Sequence, residues 1–399
     1  MYSLPYGRQS ISLDDVQQVV AALTSDWVTQ GPAIAAFEEA VAAYCDAKYA
    51  VAVNSATSAL HLACLALGLQ KGDWLWTVPN TFVASANCAL YCGANVDFVD
   101  IDPETFNLSI PALEAKLEQA KAKNCLPKVL VPVHFAGQSC DMARIAELSK
   151  RYGFKVIEDA AHAIGGQYWG RPVGCCEYSE MTVFSFHPVK IITTGEGGMI
   201  LTNNPDLYRM LCQLRSHGIT RDAQRMTETP HGPWYYQQVS LGFNYRMTDL
   251  QAALGCSQLK RLDAFVERRR QLAQRYDAAL AGLPLKIQCQ PDDVLSAWHL
   301  YVIRLDAVID RKRVFETLRA AGIGVQVHYI PVHTQPYYQQ LGFSWGDFPE
   351  AEAYYASALS LPLYYDLTDE QQAYVIDVLS KALAGSTCRA ERPTEGALL

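Results

Sequence analysis

From about residue 50 to residue 202 the chain repeats one pattern, a short continuous apolar run followed by apolar positions at helical spacing. AVAVNSA (50–56) precedes TSALHLACLALG, and WLWTVP (74–79) precedes TFVASANCALYCG. VDFVDID (96–102) leads to SIPALEAKLEQAKAK, KVLVPVHFAG (128–137) leads to DMARIAELSKRYG, and FKVIEDA (154–160) follows. MTVFSF (181–186) and MILT (199–202) add two further strands. Strands that are apolar throughout, rather than alternately, are buried on both faces. This predicts an α/β fold, a mostly parallel sheet sandwiched by helices, with ligand sites beyond the carboxyl ends of the strands.

The pattern changes after residue 248. TDLQAALGCSQLKRLDAFVERRRQLAQRYDAALAGL reads as one long amphipathic helix that stops at Gly282 and Pro284. AWHLYVIRL, the helix KRVFETLRAAG, the strand VQVHYIP and a last helix over 368–385 then suggest a smaller α+β unit. The expected division is a large α/β domain with an N-terminal arm (1–250), a small α+β domain (251–386) and a polar, disordered tail (387–399).

Half of the 399 residues are hydrophobic, enough for a sizeable core, and the net charge of −8 comes without a basic run. That argues against a nucleic-acid partner. No stretch of eighteen apolar residues is present, so no membrane-spanning helix is expected. MYSLPYGRQSISLDD lacks the basic-then-apolar order of a signal peptide. The twelve cysteines show no CxxC pair and no Cys/His metal spacing. They read as buried hydrophobes of a cytoplasmic protein, and no metal site is expected.

One lysine stands out. Lys190, in SFHPVKIITTGEGG (185–198), lies between a buried strand and a glycine turn rather than on a solvated helix face. Three other features recur where strands end. Asp159 closes the strand VIED, Ser55, Thr57 and Ser58 open a helix, and Phe82 sits at the next strand-to-helix junction. Each has a plain alternative: helix cap, ordinary capping, core aromatic. Together they are what pyridoxal phosphate requires. Lysine forms a Schiff base with its aldehyde, and a carboxylate keeps the pyridine nitrogen protonated so that the ring accepts electrons. A helix N-terminus and hydroxyls hold the phosphate, and an aromatic face stacks on the ring. The lysine must be neutral part of the time, and burial lowers its pKa from ~10.4 by up to several units.

NSATSALH, EDAAHAIGG, SFHPVKIITTGEGG and GFNYRMTDLQAALG resemble, in order, signature segments of the DegT-type sugar aminotransferases. The likeness runs from about residue 5 to 385. It implies the type I pyridoxal-phosphate aminotransferase fold, with Lys190 as the Schiff-base residue and Asp159 on the pyridine nitrogen. It also implies that Ser185 and the Thr57-Ser58 turn contact the phosphate, that Phe82 stacks, and that Asn244 is supplied by the neighbouring subunit of a homodimer with shared sites. His162 stands opposite the ring oxygen, where relatives often carry glutamine. The implied partners are a nucleotide-linked keto sugar and L-glutamate.

YGRQSIS, SDWVTQGP and VQVHYIPVHTQPYYQ narrow the resemblance to the branch that aminates position 4 of UDP-4-keto-6-deoxy-N-acetylhexosamines. In that pattern Tyr6, Trp27, Val28, Thr29, His187, His328 and Tyr329 line the sugar-nucleotide site. The plain alternatives are that Tyr6 packs the arm and that His328-Tyr329 is an ordinary strand end. Dehydratases of the same family carry histidine in place of the lysine, so Lys190 favours transamination. The Asp159, Ser185 and Lys190 set argues against a non-enzymatic sensor. A nicotinamide enzyme is disfavoured because no GxGxxG opens a first βα unit.

Overall fold

The computed structural model describes residues 3–385, so the tail expected over 387–399 lies outside the described residues. Fifteen strands occur among them. The main ones are β1 (Tyr49–Val53), β2 (Trp74–Thr77), β3 (Asn95–Phe98), β4 (Val129–Leu130) and β5 (Lys155–Asp159). A small hairpin, β6 (Gln167–Tyr168) and β7 (Arg171–Pro172), precedes β8 (Met181–Ser185) and β9 (Gly198–Thr202). Apart from the hairpin, these build a seven-stranded sheet in the order β1-β9-β8-β5-β4-β2-β3. Strand β9 pairs antiparallel with both of its neighbours, while every other pairing is parallel.

Helices cover both faces, as continuous apolar strands require. They are α1 (Leu13–Leu23), α2 (Pro32–Tyr44), α3 (Ala56–Ala66), α4 (Ala84–Tyr91), α5 (Ile110–Lys123), α6 (Met142–Tyr152) and α7 (Pro205–Leu214). Alternation along the strands sorts side chains between two cores. Val51, Val53 and Ile200 join one with Leu60, Leu113 and Ile145. Ala50, Ala52, Met199 and Leu201 join the other with Phe37, Phe184 and Phe265. Capping sets the helix starts. Ser12 and Asp15 form a reciprocal capping box at α1, and Asp141 caps α6, which ends on left-handed Gly153.

Three expectations are corrected. The helix read as continuous over 248–282 is two, α8 (Asp249–Leu259) and α9 (Leu262–Leu280). The break falls at Arg261, whose guanidinium is drawn to the Ser10 carbonyl and the Asp15 carboxylate of the N-terminal arm. The strand expected over 128–137 shrinks to two residues. Pro132 has no N–H to give, and Ala136 turns left-handed at φ 59°. VQVHYIP is not a strand either, retaining one isolated bridge, Gln326 to Ser360.

Past a two-stranded ribbon of β10 (Ile219–Thr220) and β11 (Gln237–Gln238), the chain forms a second sheet. Strand β12 (Leu285–Ile287) precedes β13 (Val294–Leu295), which returns to β6. Strands β14 (Tyr301–Leu305) and β15 (Ala358–Leu361) complete the order β12-β14-β15. A third core joins this sheet to α9, α10 (Arg311–Ala320) and the last helix, Asp369–Gly385, and also takes in Leu4 of the arm.

Candidate functional site

The carboxyl ends of β1, β2, β5 and β8 open into one cavity of about 810 Å³. Helix α3 begins at its wall. Ser55 is the N-cap and accepts from the Ser58 N–H at 3.2 Å, while the Ser58 hydroxyl donates to Asn54 Oδ1 at 2.7 Å. Residues 56 and 57 occupy the first turn, where backbone N–H groups lack helical acceptors and the helix dipole is positive. An anion fits there. Of the glycines of TTGEGG, Gly195 takes a left-handed φ of 81° and Gly198 is steric. A Cβ on Gly198 would stand 2.6 Å from the Ala56 nitrogen and from Ser55 backbone atoms, so only glycine lets β9 run against the start of α3.

Asp159 ends β5 almost wholly buried. Its Oδ2 accepts from the Ser85 hydroxyl at 2.6 Å and its Oδ1 from the Ala161 N–H at 3.1 Å. The second bond is an Asx turn, not a helix cap, because no helix follows. Lys190 lies in the 187–195 turn, which Thr193 and Thr194 tie back to the Phe186 carbonyl. Burial pushes the Lys190 amine down to about 8, opposed by the Asp159 carboxylate. At neutral pH that leaves an appreciable free-amine fraction, which nucleophilic attack on a carbonyl needs. Ser185, at the end of β8, is buried in the same wall.

The opposite wall is imidazole and phenol. His162 is buried, with Nδ1 3.3 Å from the Ala136 nitrogen and Nε2 3.1 Å from the Tyr329 hydroxyl. His299 lies against it with ring centroids 4.4 Å apart, and its Nδ1 has no partner among the described residues. His328 pairs through Nδ1 with the Ser360 hydroxyl at 2.8 Å and meets the Tyr6 ring. Burial, reinforced by the Lys190 charge, pushes His328 down to about 3; burial first, then neighbouring charges, lowers His162 and His299 as well. All three rings are neutral at physiological pH.

Of the residues singled out from sequence, the cavity gathers Tyr6, Ser55, Thr57, Ser58, Phe82, Asp159, His162, Ser185, His187, Lys190, His328 and Tyr329. Phe82 is not core but 59 % exposed at the mouth. Trp27, Val28 and Thr29 do not reach the cavity of this chain. They are exposed, with Thr29 bridged to Thr248 at the start of α8. Asn244 is exposed too, bridged to Ser216 and away from the cavity. Sequence reasoning missed Ser85, His299 and Glu196. The NTFVAS segment offered a hint of the first, a hydroxyl three residues past Phe82. Among the described residues no group of three or more His, Cys, Asp or Glu side chains is arranged to hold a metal ion.

The profile of the DegT/DnrJ/EryC1/StrS aminotransferase family matches residues 9–380. The chain belongs to this family. Members similar to it include the spore coat polysaccharide biosynthesis protein SpsC of Bacillus subtilis, 41% identical over 96% of this chain and 98% of the relative. Helicobacter pylori PseC, an aminotransferase involved in pseudaminic acid biosynthesis, superposes with a TM-score of 0.88 at 31% identity, covering 96% of this chain and all of PseC (100%). Spr1654 of Streptococcus pneumoniae, provisionally assigned as a sugar aminotransferase, superposes in its PLP form with a TM-score of 0.87 at 30% identity, over 96% and 99% of the two chains.

As a DegT/DnrJ/EryC1/StrS aminotransferase, this protein has the type I fold and uses pyridoxal phosphate. Its substrates are a nucleotide sugar and an amino donor. The donor set fits that cofactor: an anion cradle at α3, a buried carboxylate already oriented by Ser85, and an amine of lowered pKa. No helix among the described residues is long and apolar enough to cross a membrane.

Proposed function

We propose that this protein transfers the amino group of L-glutamate to position 4 of a UDP-4-keto-6-deoxy-N-acetylhexosamine. The product is UDP-4-amino-4,6-dideoxy-N-acetyl-β-L-altrosamine, used in pseudaminic acid synthesis. The observation that carries the transaminase chemistry is the convergence of Lys190, Asp159 and the Ser55–Ser58 turn on one cavity. The finer substrate assignment is supported by full-length likeness to PseC and by the N-terminal and HYIP segments.

In this reading Lys190 links to the cofactor and then moves protons at the reacting carbon, using its lowered pKa to act as both base and acid. Asp159, held by Ser85, keeps the pyridine nitrogen protonated. The cofactor supplies the electron sink for the carbanion. Ser55, Thr57, Ser58 and Ser185 receive the phosphate, Phe82 covers the ring, and Tyr6, His187 and His328 border the sugar side. Asn244, Trp27, Val28 and Thr29 belong to a site shared across a homodimer, to which they contribute from the partner. Their exposure in the single chain supports this, as do exposed Trp234 and Leu241 in the segment leading to Asn244. A cytoplasmic location rests on the thiol-rich composition.

A second reading, another nucleotide-linked 4-keto or 3-keto sugar, is favoured by the higher identity to SpsC. Both are tested by treating the holoenzyme with glutamate and then adding UDP- and dTDP-4-keto sugars in turn. Glutamate bleaches the visible absorbance, and the true acceptor restores it. Restoration by dTDP-4-keto-6-deoxyglucose alone would replace the first reading with the second.

A further inference from the structure

Two carboxylates and one lysine line the cavity among the described residues: Asp159, Glu196 and Lys190. Asp159 is engaged by Ser85 and Ala161, and the buried imidazoles of His162, His299 and His328 are neutral. That leaves Glu196. Its side chain accepts no hydrogen bond among the described residues. Its one ion-pair contact, His187 Nε2, stands at 4.0 Å, beyond hydrogen-bond reach. Both of these side chains are at least half exposed, so the Glu196 carboxylate stands free at the cavity mouth.

The backbone that carries it is held from three sides. The Glu196 carbonyl accepts from the Thr194 hydroxyl at 2.6 Å and from Gln251 Nε2 at 2.7 Å. The next carbonyl, of Gly197, accepts from the Phe186 N–H at 2.9 Å. Gln251 is itself fixed, because its Oε1 closes the capping box at the start of α8. A solvated loop residue is loose in backbone and side chain alike. Here the lysine turn, the end of β8 and the start of α8 all fix the backbone, and only the carboxylate is left unpartnered. Two residues on, Gly198 packs against the anion cradle, so the cradle, Lys190 and Glu196 meet in one hydrogen-bonded segment.

Apart from the ammonium group that is transferred, every charged group of the proposed reaction is an anion. These are the cofactor phosphate, the carboxylates of glutamate and the diphosphate of the sugar nucleotide. A fixed carboxylate repels each of them. It attracts O–H and N–H donors, and of the two substrates only the sugar nucleotide brings uncharged ones. We propose that Glu196 is a specificity residue for both half reactions. It accepts a hydrogen bond from a ring hydroxyl or acetamido N–H of the keto sugar, and its charge turns the side-chain carboxylate of glutamate away from the same place. The two substrates enter one cavity in turn and meet Glu196 with opposite sign. This rests on the transaminase reading above and not on which nucleotide carries the sugar.

The test measures the two half reactions of holoenzyme by rapid-mixing absorbance, in wild type, Glu196→Ala and Glu196→Gln. The sugars are UDP-4-keto-6-deoxy-N-acetylhexosamine and dTDP-4-keto-6-deoxyglucose. For whichever restores the wild-type band, Glu196→Ala should raise the half-saturating concentration about tenfold, as for a lost hydrogen bond to a charged group, with a smaller change in limiting rate. Glu196→Gln, which keeps an acceptor oxygen, should raise it less. For glutamate both variants should lower the half-saturating concentration, by about twofold, because the repelling charge is gone. An unchanged sugar value in Glu196→Ala overturns the recognition, and a glutamate value that stays or rises overturns the repulsion. Parallel weakening of both substrates would make Glu196 a structural residue and overturn both. Failure of the transaminase reading is separate, because it appears in the wild type, as a band that glutamate does not bleach.

Discussion

Lys190 and Asp159 are a pair whose environments set their chemistry. The Lys190 amine is pushed down to about 8, so about one tenth is free at pH 7 and nearly all at pH 9. Reconstitution of the apoenzyme with pyridoxal phosphate should therefore accelerate roughly tenfold between those pH values. Rapid-mixing absorbance checks this, and a flat profile would show an amine of ordinary basicity. Lys190→Arg should abolish both the visible band and turnover. Asp159→Asn should cost at least ~100-fold in turnover, about 2.7 kcal/mol of transition-state energy, with little change in the unfolding midpoint. Near-normal turnover in that variant would reduce Asp159 to its Asx turn. These two residues stood out in the sequence because Asp159 terminates an apolar strand and Lys190 lies in the turn that follows another. Ser85 was not, since a serine three residues past an aromatic gives no sign of facing a carboxylate 74 positions away.

At the scale of elements, the approach of β9 to α3 is what forms the anion cradle. It depends on a missing side chain. Gly198→Ala places a methyl 2.6 Å from backbone atoms of Ser55 and Ala56, which cannot rotate out of the way as a side chain could. The expected result is a loss of about 1–3 kcal/mol in urea unfolding, together with weaker cofactor binding as the cradle is pushed open. Unchanged affinity by cofactor titration would separate β9 from the phosphate site. The helix break at Arg261 belongs to this scale too. Periodicity ran unbroken through Lys260 and Arg261, and the interruption comes from an ion pair with Asp15 that no local window contains.

For the whole molecule, three neutral buried histidines make acid a cost. The sign follows from their direction: His328 is pushed down to about 3, so the unfolded chain takes up a proton near 6.5 that the folded chain refuses until about 3. Stability is therefore lost as pH falls through that window, and His162 and His299 add in the same direction. Denaturant unfolding of the apoprotein should weaken from pH 7 to pH 5, and His328→Gln should narrow that difference by about 2 kcal/mol. A pH-independent difference between variant and wild type would mean that the His328 ring titrates alike in the folded and the unfolded chain. Assembly is the other property of this scale. If Asn244 completes a partner's site, light scattering should give at least a dimer, and Asn244→Ala should release cofactor more readily without dissociating it. A fully active monomer would contradict the shared site.

By itself the sequence determined the layered α/β architecture, the carboxylate at one strand end, the lysine in the turn beyond another, and the hydroxyl-rich start of α3. Those features are local. Burial on both faces leaves continuous apolar runs, a cap leaves a hydroxyl at a helix start, and a reactive lysine leaves its charge between apolar strands. Only the tertiary structure decided that Ser85 orients Asp159, that a glycine on β9 shapes the anion cradle, and that His162 meets the hydroxyl of Tyr329, 167 residues along the chain. It also kept Trp27, Val28, Thr29 and Asn244 away from the cavity of their own chain. The physical reason is the same in each case. A hydrogen bond or close contact is specified by two partners meeting in space, and propensity and periodicity describe one segment at a time.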